Sequence, residues 1–281
     1  MGLERAYQGA VPFPAVPRRL VEAYGLGDLS LRRFGTSSDD LEVDFEQASK
    51  PKLITDLLAN CTCWPDGRSP LRGFLWDLDV GKRIECLLLI SGLEEEDHDR
   101  LTVPLRCNQD RCDELMEIGL SLSAILDSVH LQDEEALVAE HGGQRALLRR
   151  PTARDQLDWL RRSYPSETEA VDEMVSALIV EGPKGAPSRG LVEEIQRTLE
   201  DSDPLVQFSV TVKGPNCHCE QIHRLDLAEL ALARMSLTQA RLLEQVHRLA
   251  GAYHWSEAEI VAMPPWRRER YLALLERDGE R

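Results

Sequence analysis

The stretch Leu101-Thr-Val-Pro-Leu-Arg-Cys-Asn-Gln-Asp-Arg-Cys-Asp-Glu-Leu-Met-Glu-Ile-Gly-Leu-Ser-Leu122 decides the fold class of this chain. Aliphatic residues alternate with polar residues or proline up to Cys107, and aliphatic residues alternate with other residues again after Cys112. Alternation with a period of two on both sides of a turn is typical of a β-hairpin. We therefore predict a hairpin whose turn carries a cysteine at each end.

A second stretch, at residues 206–227, has the same pattern. Apolar residues lie at every second position before its turn, at Val206, Phe208, Val210 and Val212. The turn Gly214-Pro-Asn-Cys-His-Cys219 follows, and spaced aliphatic residues lead out of it. We predict a second Cys-tipped hairpin. Since predicted helices precede each hairpin, the two halves form a weak internal repeat.

Most of the remaining chain is predicted to be helical. The region of about 130–200 is expected to be helical and polar, with Thr152 placed to cap a helix. Ser256 and Glu259 have the spacing of a capping box, which predicts a helix start near the C-terminus. The fold class that follows is α+β: mainly helical, with two Cys-tipped β-hairpins and a C-terminal helical hook.

Four segments describe the predicted domain organisation. They are an irregular N-terminal arm at 1–50, helices plus the first Cys hairpin at 51–150, helices plus the second Cys hairpin at 151–227, and a C-terminal helical segment at 228–281. The first is expected to be irregular because prolines and glycines interrupt it repeatedly.

The charge of the chain limits its partners. The 281 residues carry a formal net charge of −16, with 42% hydrophobic residues. An acidic surface repels phosphate backbones and anionic lipids, so we expect neither nucleic-acid nor membrane partners. No segment approaches the roughly 20 apolar residues of a membrane helix. We also expect no secretory signal, and hence a cytoplasmic protein.

Seven cysteines make a metal site the main chemical hypothesis. Six of them form three close pairs, with four, one and one intervening residues, and none of these spacings is the usual Cys-x-x-Cys. In an intracellular protein, close cysteine pairs suggest metal binding or reduced thiols rather than disulfides. The candidate ligands of a structural zinc are Cys107, Cys112, Cys217 and Cys219. Ordinary reduced thiols remain the alternative, and His218, His223, Cys61 or Cys63 could substitute as ligands.

Motifs of known catalytic sites are missing from the sequence. There is no Gly-x-Ser-x-Gly, phosphate-binding loop, Gly-x-Gly-x-x-Gly or His-Glu-x-x-His pattern. His98 lies between acidic residues in a polar turn, where a solvated histidine is expected, and Cys86 is expected to be a core thiol. We predict that the protein is not an enzyme and has no catalytic residues. A hydrolase with an unrecognised site remains the alternative.

The C-terminal segment is rich in aromatic residues and arginine. Such residues often anchor protein partners when they are exposed, although they could equally pack on each other. The predicted partner-binding residues are Tyr253, Trp255, Trp266, Arg267, Arg268 and Tyr271.

This segment also carries a resemblance. Its residues are Leu242-Leu-Glu-Gln-Val-His-Arg-Leu-Ala250, then Tyr253-His-Trp-Ser-Glu257, Ile260, Pro264 and Arg267-Arg-Glu-Arg-Tyr-Leu272. Together they resemble the C-terminal signature of baseplate-hub assembly proteins of T-even-type phages and phage-tail-like contractile injection systems. Weaker likeness extends over most of residues 51–275, at Leu78–Arg83, Pro151–Gln156, Asp203-Pro204 and both Cys-bearing hairpins.

The resemblance implies a non-catalytic role. Proteins of this family are thought to help assemble the tail baseplate or hub, as a chaperone or minor component, with hub, spike or wedge proteins as partners. Family members tend to carry Cys-x-x-Cys in the second hairpin, and Cys217-His-Cys219 departs from that pattern. The rival interpretation is a zinc-ribbon-like protein-binding adaptor.

Overall fold

A computed structural model describes residues 10–64, 72–93, 100–108, 112, 114–127, 137–183 and 185–279. Of these residues 54% are helical and 19% lie in strands of small antiparallel sheets, which confirms the α+β, mainly helical class. His98 and the centre of the first Cys turn lie outside the described residues.

The α-helices among the described residues are α1 (Arg18–Tyr24), α2 (Lys50–Cys61), α3 (Arg72–Asp77), α4 (Val80–Gly92), α5 (Leu122–Asp127), α6 (Ala153–Arg161), α7 (Glu167–Leu178), α8 (Arg189–Ser202), α9 (Leu227–Tyr253), α10 (Glu257–Val261) and α11 (Pro265–Gly279). A 3₁₀ helix spans Ser38–Glu42. The strands are β1 (Val11–Pro12), β2 (Ser30–Leu31), β3 (Thr62–Cys63), β4 (Arg100–Arg106), β5 (Leu115–Ser121), β6 (Leu137–His141), β7 (Gln144–Leu148), β8 (Ile179–Glu181), β9 (Ser209–Lys213) and β10 (Glu220–Arg224).

The chain divides into two compact units. Unit 1 takes the described parts of Met1–Leu71, Leu89–Glu96 and Glu229–Arg281, and unit 2 those of Arg72–Leu88 and Asp97–Ala228. Unit 1 contains the sheet β1-β2-β3. Unit 2 contains the hairpins β4-β5 and β9-β10 and the sheet β6-β7-β8, and every strand pairing in both units is antiparallel.

In unit 1, residues 10–50 differ from the predicted irregular arm. They form β1, α1, β2 and the 3₁₀ helix, and they bury Leu31 and Phe34 completely. A buried ion pair fixes this segment, since the Arg32 guanidinium donates to both carboxylate oxygens of Asp40, at 2.8 and 2.7 Å. Strands of two residues are too short to produce a period in the sequence, so the order here comes from contacts that periodicity does not reveal.

The C-terminal part of unit 1 is a helical hook, as predicted. Helices α10 and α11 pack against α9 around a buried apolar cluster of Leu242, Val246, Leu249, Ile260 and Val261. Ser256 caps α10, and the reciprocal bond from the Ser256 backbone N–H to the Glu259 carboxylate completes the capping box.

In unit 2 the two predicted hairpins are confirmed. Strand β4 turns Leu101, Val103 and Leu105 inward and pairs with β5, so that Leu105 lies opposite Met116. Strand β9 pairs with β10 over five residues each. In β4-β5 the alternation of the sequence fits the register, because a shift of one residue would expose the buried side chains of β4. In β10 the inward residue is instead the polar Gln221, and Ile222 is 68% exposed.

The prediction that the region of about 130–200 is helical is wrong for residues 137–148. They form the hairpin β6-β7, closed by Gly142 and Gly143, both with positive φ, and β8 adds a third strand. A two-residue turn with positive φ at both positions suits a tight hairpin and favours glycine. The small inward residues Ala139 and Ala146 made the strand period hard to recognise.

Helix α4 buries charged side chains in unit 2. Lys82 and Glu85 form an ion pair at 2.8 Å with each side chain 3% exposed, and Arg83 donates to the carbonyl of Leu75 at 2.7 Å. Burial lowers the pKa of Arg83 to about 9. Cys86, predicted to be a core thiol, is fully buried, and burial raises its pKa.

Asp203 lies against the first turn of the same helix. A Cβ at Gly81 would overlap its carboxylate, and the backbone N–H of Leu205 donates to its Oδ1 at 3.3 Å. Burial, and next the negative charge of Asp79, raise the pKa of Asp203 to about 6, against the opposing effect of Arg150. The ionised carboxylate is therefore a cost to the folded state at neutral pH.

We predict that Asp203→Asn increases the free energy of unfolding at pH 7.5, by about 1–3 kcal/mol. The folded pKa of about 6 exceeds the unfolded value of about 3.9, so proton-linked stability is complete below about pH 4 and is lost as pH rises through 6. Asparagine resembles the protonated acid at every pH and can still accept from Leu205. Urea denaturation from pH 5 to 8 should show a difference that grows with pH.

The matched control is Asp201→Asn, because Asp201 lies exposed on α8 nearby in the chain. The free energy of unfolding of this variant should equal that of the parent protein across the same pH range. A stability difference for Asp203→Asn that stays constant from pH 5 to 8 would contradict the assignment.

Candidate metal centre

The tips of the two Cys hairpins meet in unit 2. Cys107 and Cys217 lie 110 positions apart in sequence, and their Sγ atoms are 3.7 Å apart. Cys107 directly follows β4 and continues its inward alternation, so its side chain is only 4% exposed. Its backbone N–H donates to the carbonyl of Glu114 at 2.8 Å, which holds the first turn closed.

Cys112 supplies a third sulfur. The Sγ atoms of Cys107, Cys112 and Cys217 all lie within 4.8 Å of one another, with Cys107 buried and the other two half-buried. Three of the four predicted metal ligands therefore converge, two from the first hairpin and one from the second. A group of three thiols this close could hold a metal ion.

Cys219, the fourth predicted ligand, lies beside this group. Its thiol is exposed and donates to the carbonyl of Cys217 at 3.5 Å. The Cys217 side chain, through a hydrogen bond and its charge, raises the pKa of Cys219, and charges on Cys107 and Cys112 add to the effect. Ionisation of Cys219 is therefore disfavoured, and a bound cation would offset that cost.

The backbone of the second turn makes room for the sulfurs. A Cβ at Gly214 would overlap Cys217 Sγ and lie 2.9 Å from Gln221 Nε2 and 3.3 Å from Cys107 Sγ. Glycine is thus the residue that leaves the space between the thiols open. His218 has φ +55° and its N–H donates to Gly214, so the tight turn depends on a left-handed residue between the two cysteines.

Gln221 borders the thiol group and was not predicted from the sequence. It is 4% exposed on β10, its Nε2 lies 3.0 Å from Cys107 Sγ, and its Oε1 accepts from the backbone N–H of Asn108 at 2.8 Å. The available signal was its inward position in the hairpin register, opposite Val212, where a polar side chain needs a partner.

The other candidate ligands stay outside the thiol group. His223 is directed to Gln221, with Nε2 3.3 Å from Oε1. In unit 1, Cys61 is buried, and Cys63 Sγ lies 3.4 Å from the hydroxyl of Ser30. Among the residues that the structure describes, only Cys107, Cys112 and Cys217 form a group of three candidate metal ligands.

Three of the six predicted partner-binding residues pack on each other. The rings of Tyr253 and Trp255 stack at a centroid distance of 4.6 Å, and Tyr271 meets Trp255 edge to face at 4.8 Å. All three are half-buried over the apolar cluster of the hook. They form a rigid aromatic base that still presents part of its surface to solvent.

The remaining three residues differ sharply in exposure. Trp266 is 67% exposed, and Arg267 is exposed with its guanidinium 5.6 Å from the ring centroid of Tyr271. Arg268, by contrast, is 5% exposed and donates to the carbonyls of Val261 and Met263. The expectation that Arg268 contacts a partner is corrected, because its guanidinium closes the connection between α10 and α11.

Comparison with known proteins identifies no relative of this chain. No protein-family model matches the sequence, and neither curated proteins nor solved structures give a significant match. Among the described residues, no helix combines the length and the apolar character needed to cross a membrane.

We predict that Gly214→Ala weakens Zn²⁺ binding by tenfold or more, because the new methyl group must displace Cys217 Sγ or Gln221. Competition with a chromophoric chelator measures the affinity. Gly251→Ala is the control, since a Cβ at Gly251 meets nothing within 4 Å. Equal affinities in the two variants would show that the space at Gly214 is not part of a metal site.

Proposed function

We propose that this protein is a non-catalytic assembly factor or minor component of the baseplate of a contractile phage tail or phage-tail-like injection system. In this proposal a structural zinc ion, bound by Cys107, Cys112, Cys217 and Cys219, fixes the two hairpins. The observation that carries the zinc assignment is the convergence of three thiols from separate hairpins. The assembly role is supported by the C-terminal resemblance and by the exposed residues of the hook.

The distance between two of the sulfurs fits a tetrahedral zinc site. With Zn–S bonds of about 2.3 Å, two sulfurs of a regular tetrahedron lie about 3.8 Å apart. The observed distance between Cys107 and Cys217 is 3.7 Å. A disulfide would need about 2.05 Å, so this pair already has the separation of two ligands on one ion.

A site of four thiolates is structural rather than catalytic. Catalytic zinc keeps one position open for water, whereas four protein ligands close the coordination sphere. Here the ion would link segments more than 100 positions apart, so metal binding would contribute directly to the folding of unit 2. Reduced thiols of this kind persist in the cytoplasm, which is where the proposal places the assembly of the particle.

The contact surface proposed for the partner is the hook surface, which we define as Trp266 and Arg267 on the base of Tyr253, Trp255 and Tyr271. Tryptophan and arginine are enriched among the residues that dominate binding energies. The stacked base restricts the motion of Tyr271, and the guanidinium of Arg267 lies over the Tyr271 ring. These side chains therefore lose little conformational entropy when a partner binds. Hub, spike or wedge proteins are the proposed partners.

A second candidate function is a zinc-ribbon-like protein-binding adaptor that works outside contractile particles. It is supported by the thiol group alone, whereas the assembly role is also supported by the C-terminal resemblance. The identity of the bound partner separates the two.

We predict that the purified protein contains about one zinc ion per chain and that Cys217→Ser loses it, because the second hairpin then lacks its central ligand. Elemental analysis by mass spectrometry after gel filtration measures the content. Cys63→Ser serves as the control, since Cys63 is half-buried and lies outside the thiol group. Zinc retained by Cys217→Ser would contradict the proposed ligand set.

We predict that the double variant Trp266→Ala, Arg267→Ala loses most of its binding to co-expressed baseplate proteins. Each anchor contributes more than about 1 kcal/mol, so the pair should weaken binding at least tenfold. Affinity purification followed by quantitative mass spectrometry gives the retained fraction. Leu243→Ala is the control, because Leu243 is 46% exposed on α9 outside the hook surface.

Two outcomes of this experiment are informative against the proposal. Undiminished capture by the double variant would remove the hook surface as the contact. Failure of the parent protein to bind any hub, spike or wedge protein would favour the adaptor.

A further inference from the structure

We propose that Gln221 is a positioning residue of the metal site: its side-chain amide orients the sulfur of Cys107 and fixes the loop that carries it. This inference rests on the zinc site proposed above and deepens it. It assigns two roles to the second hairpin, because its turn supplies Cys217 and its strand β10 supports Cys107 of the other hairpin.

The orientation of the amide follows from its neighbours. The backbone N–H of Asn108 can only donate, so the Gln221 atom at 2.8 Å from it must be the carbonyl oxygen. The NH₂ group is then the atom at 3.0 Å from Cys107 Sγ. The reverse orientation would place two donors against each other and leave the sulfur facing an oxygen.

The position of the amide suits a contact that orients the Cys107 sulfur. Gln221 is 4% exposed and Cys107 is also 4% exposed, so the contact between them is shielded from water. Hydrogen bonds to metal ligands orient them and typically change metal affinity by about 10–100-fold when they are removed.

The side-chain amide of Gln221 connects the two hairpins. It joins Cys107 and Asn108 at the end of the first hairpin to β10 of the second, 114 positions later in the chain. His223 lies within 3.3 Å of the same carbonyl oxygen. At Gly214 an added Cβ would come within 2.9 Å of the Gln221 Nε2, so the turn leaves the space that the amide occupies.

The substitution Gln221→Glu separates the contact to sulfur from simple packing. Glutamate has the same length, and it can still accept from Asn108, but it places an oxygen in front of Cys107 Sγ. We expect Zn²⁺ affinity to fall by about 10–100-fold. With Co²⁺ as the probe, we also expect the thiolate-to-cobalt charge-transfer band to move to lower energy, because the sulfur loses its donor.

The control is Gln207→Glu, which makes the same change at an exposed position of the same unit. It should leave the affinity and the band unchanged. If Gln221→Glu does not fold, Gln221→Met keeps the side-chain length without adding charge and is compared with the parent in the same way.

Two results separate the failure of this inference from the failure of the zinc site. If Cys217→Ser loses the metal while Gln221→Glu keeps parental affinity within about twofold and an unchanged cobalt band, the zinc site stands and the role of Gln221 is overturned. If Cys217→Ser binds metal as tightly as the parent, the zinc site falls, and this inference falls with it.

Discussion

The approach of the Cys107 and Cys217 sulfurs to 3.7 Å is the constraint to which unit 2 is adapted. Two hairpins that are far apart in sequence must hold their tips together, although thiolates at this distance repel each other. Gly214 leaves the space, His218 adopts a left-handed conformation to shape the turn, and Gln221 bridges the two hairpins. These features have a common explanation if a cation lies among the sulfurs.

The hook in unit 1 has a different physical basis. Its helices are held by an apolar cluster, a capping box and the buried guanidinium of Arg268, so its aromatic surface needs no metal. Arg267 lies over the ring of Tyr271, and Trp266, its neighbour in the sequence, is 67% exposed. A small, rigid, aromatic surface suits a protein that docks onto others. This surface is also cationic, whereas the chain as a whole has a net charge of −16.

The sequence predicted the features whose signals lie among neighbouring residues. Alternation placed both Cys hairpins, and Ser256 with Glu259 marked a helix start, because each signal lies within a few residues. The sheet β6-β7-β8 was missed, since small inward residues weaken the period and β8 pairs from a distance. Gln221 was not predicted, because only the folded chain shows that it adjoins Cys107. Arg268 was predicted wrongly, because its sequence neighbour Arg267 is of the same type and only the contacts of the fold bury one of the two.

X-ray absorption spectroscopy at the zinc K edge of the purified full-length protein tests whether the thiols of the two hairpins bind a zinc ion. It reports the elements and distances of the atoms bound to the ion. The account predicts a first shell of about four sulfurs at about 2.3 Å. A shell dominated by nitrogen or oxygen at about 2.0 Å would contradict it, because the thiols of the two hairpins would then not be the ligands.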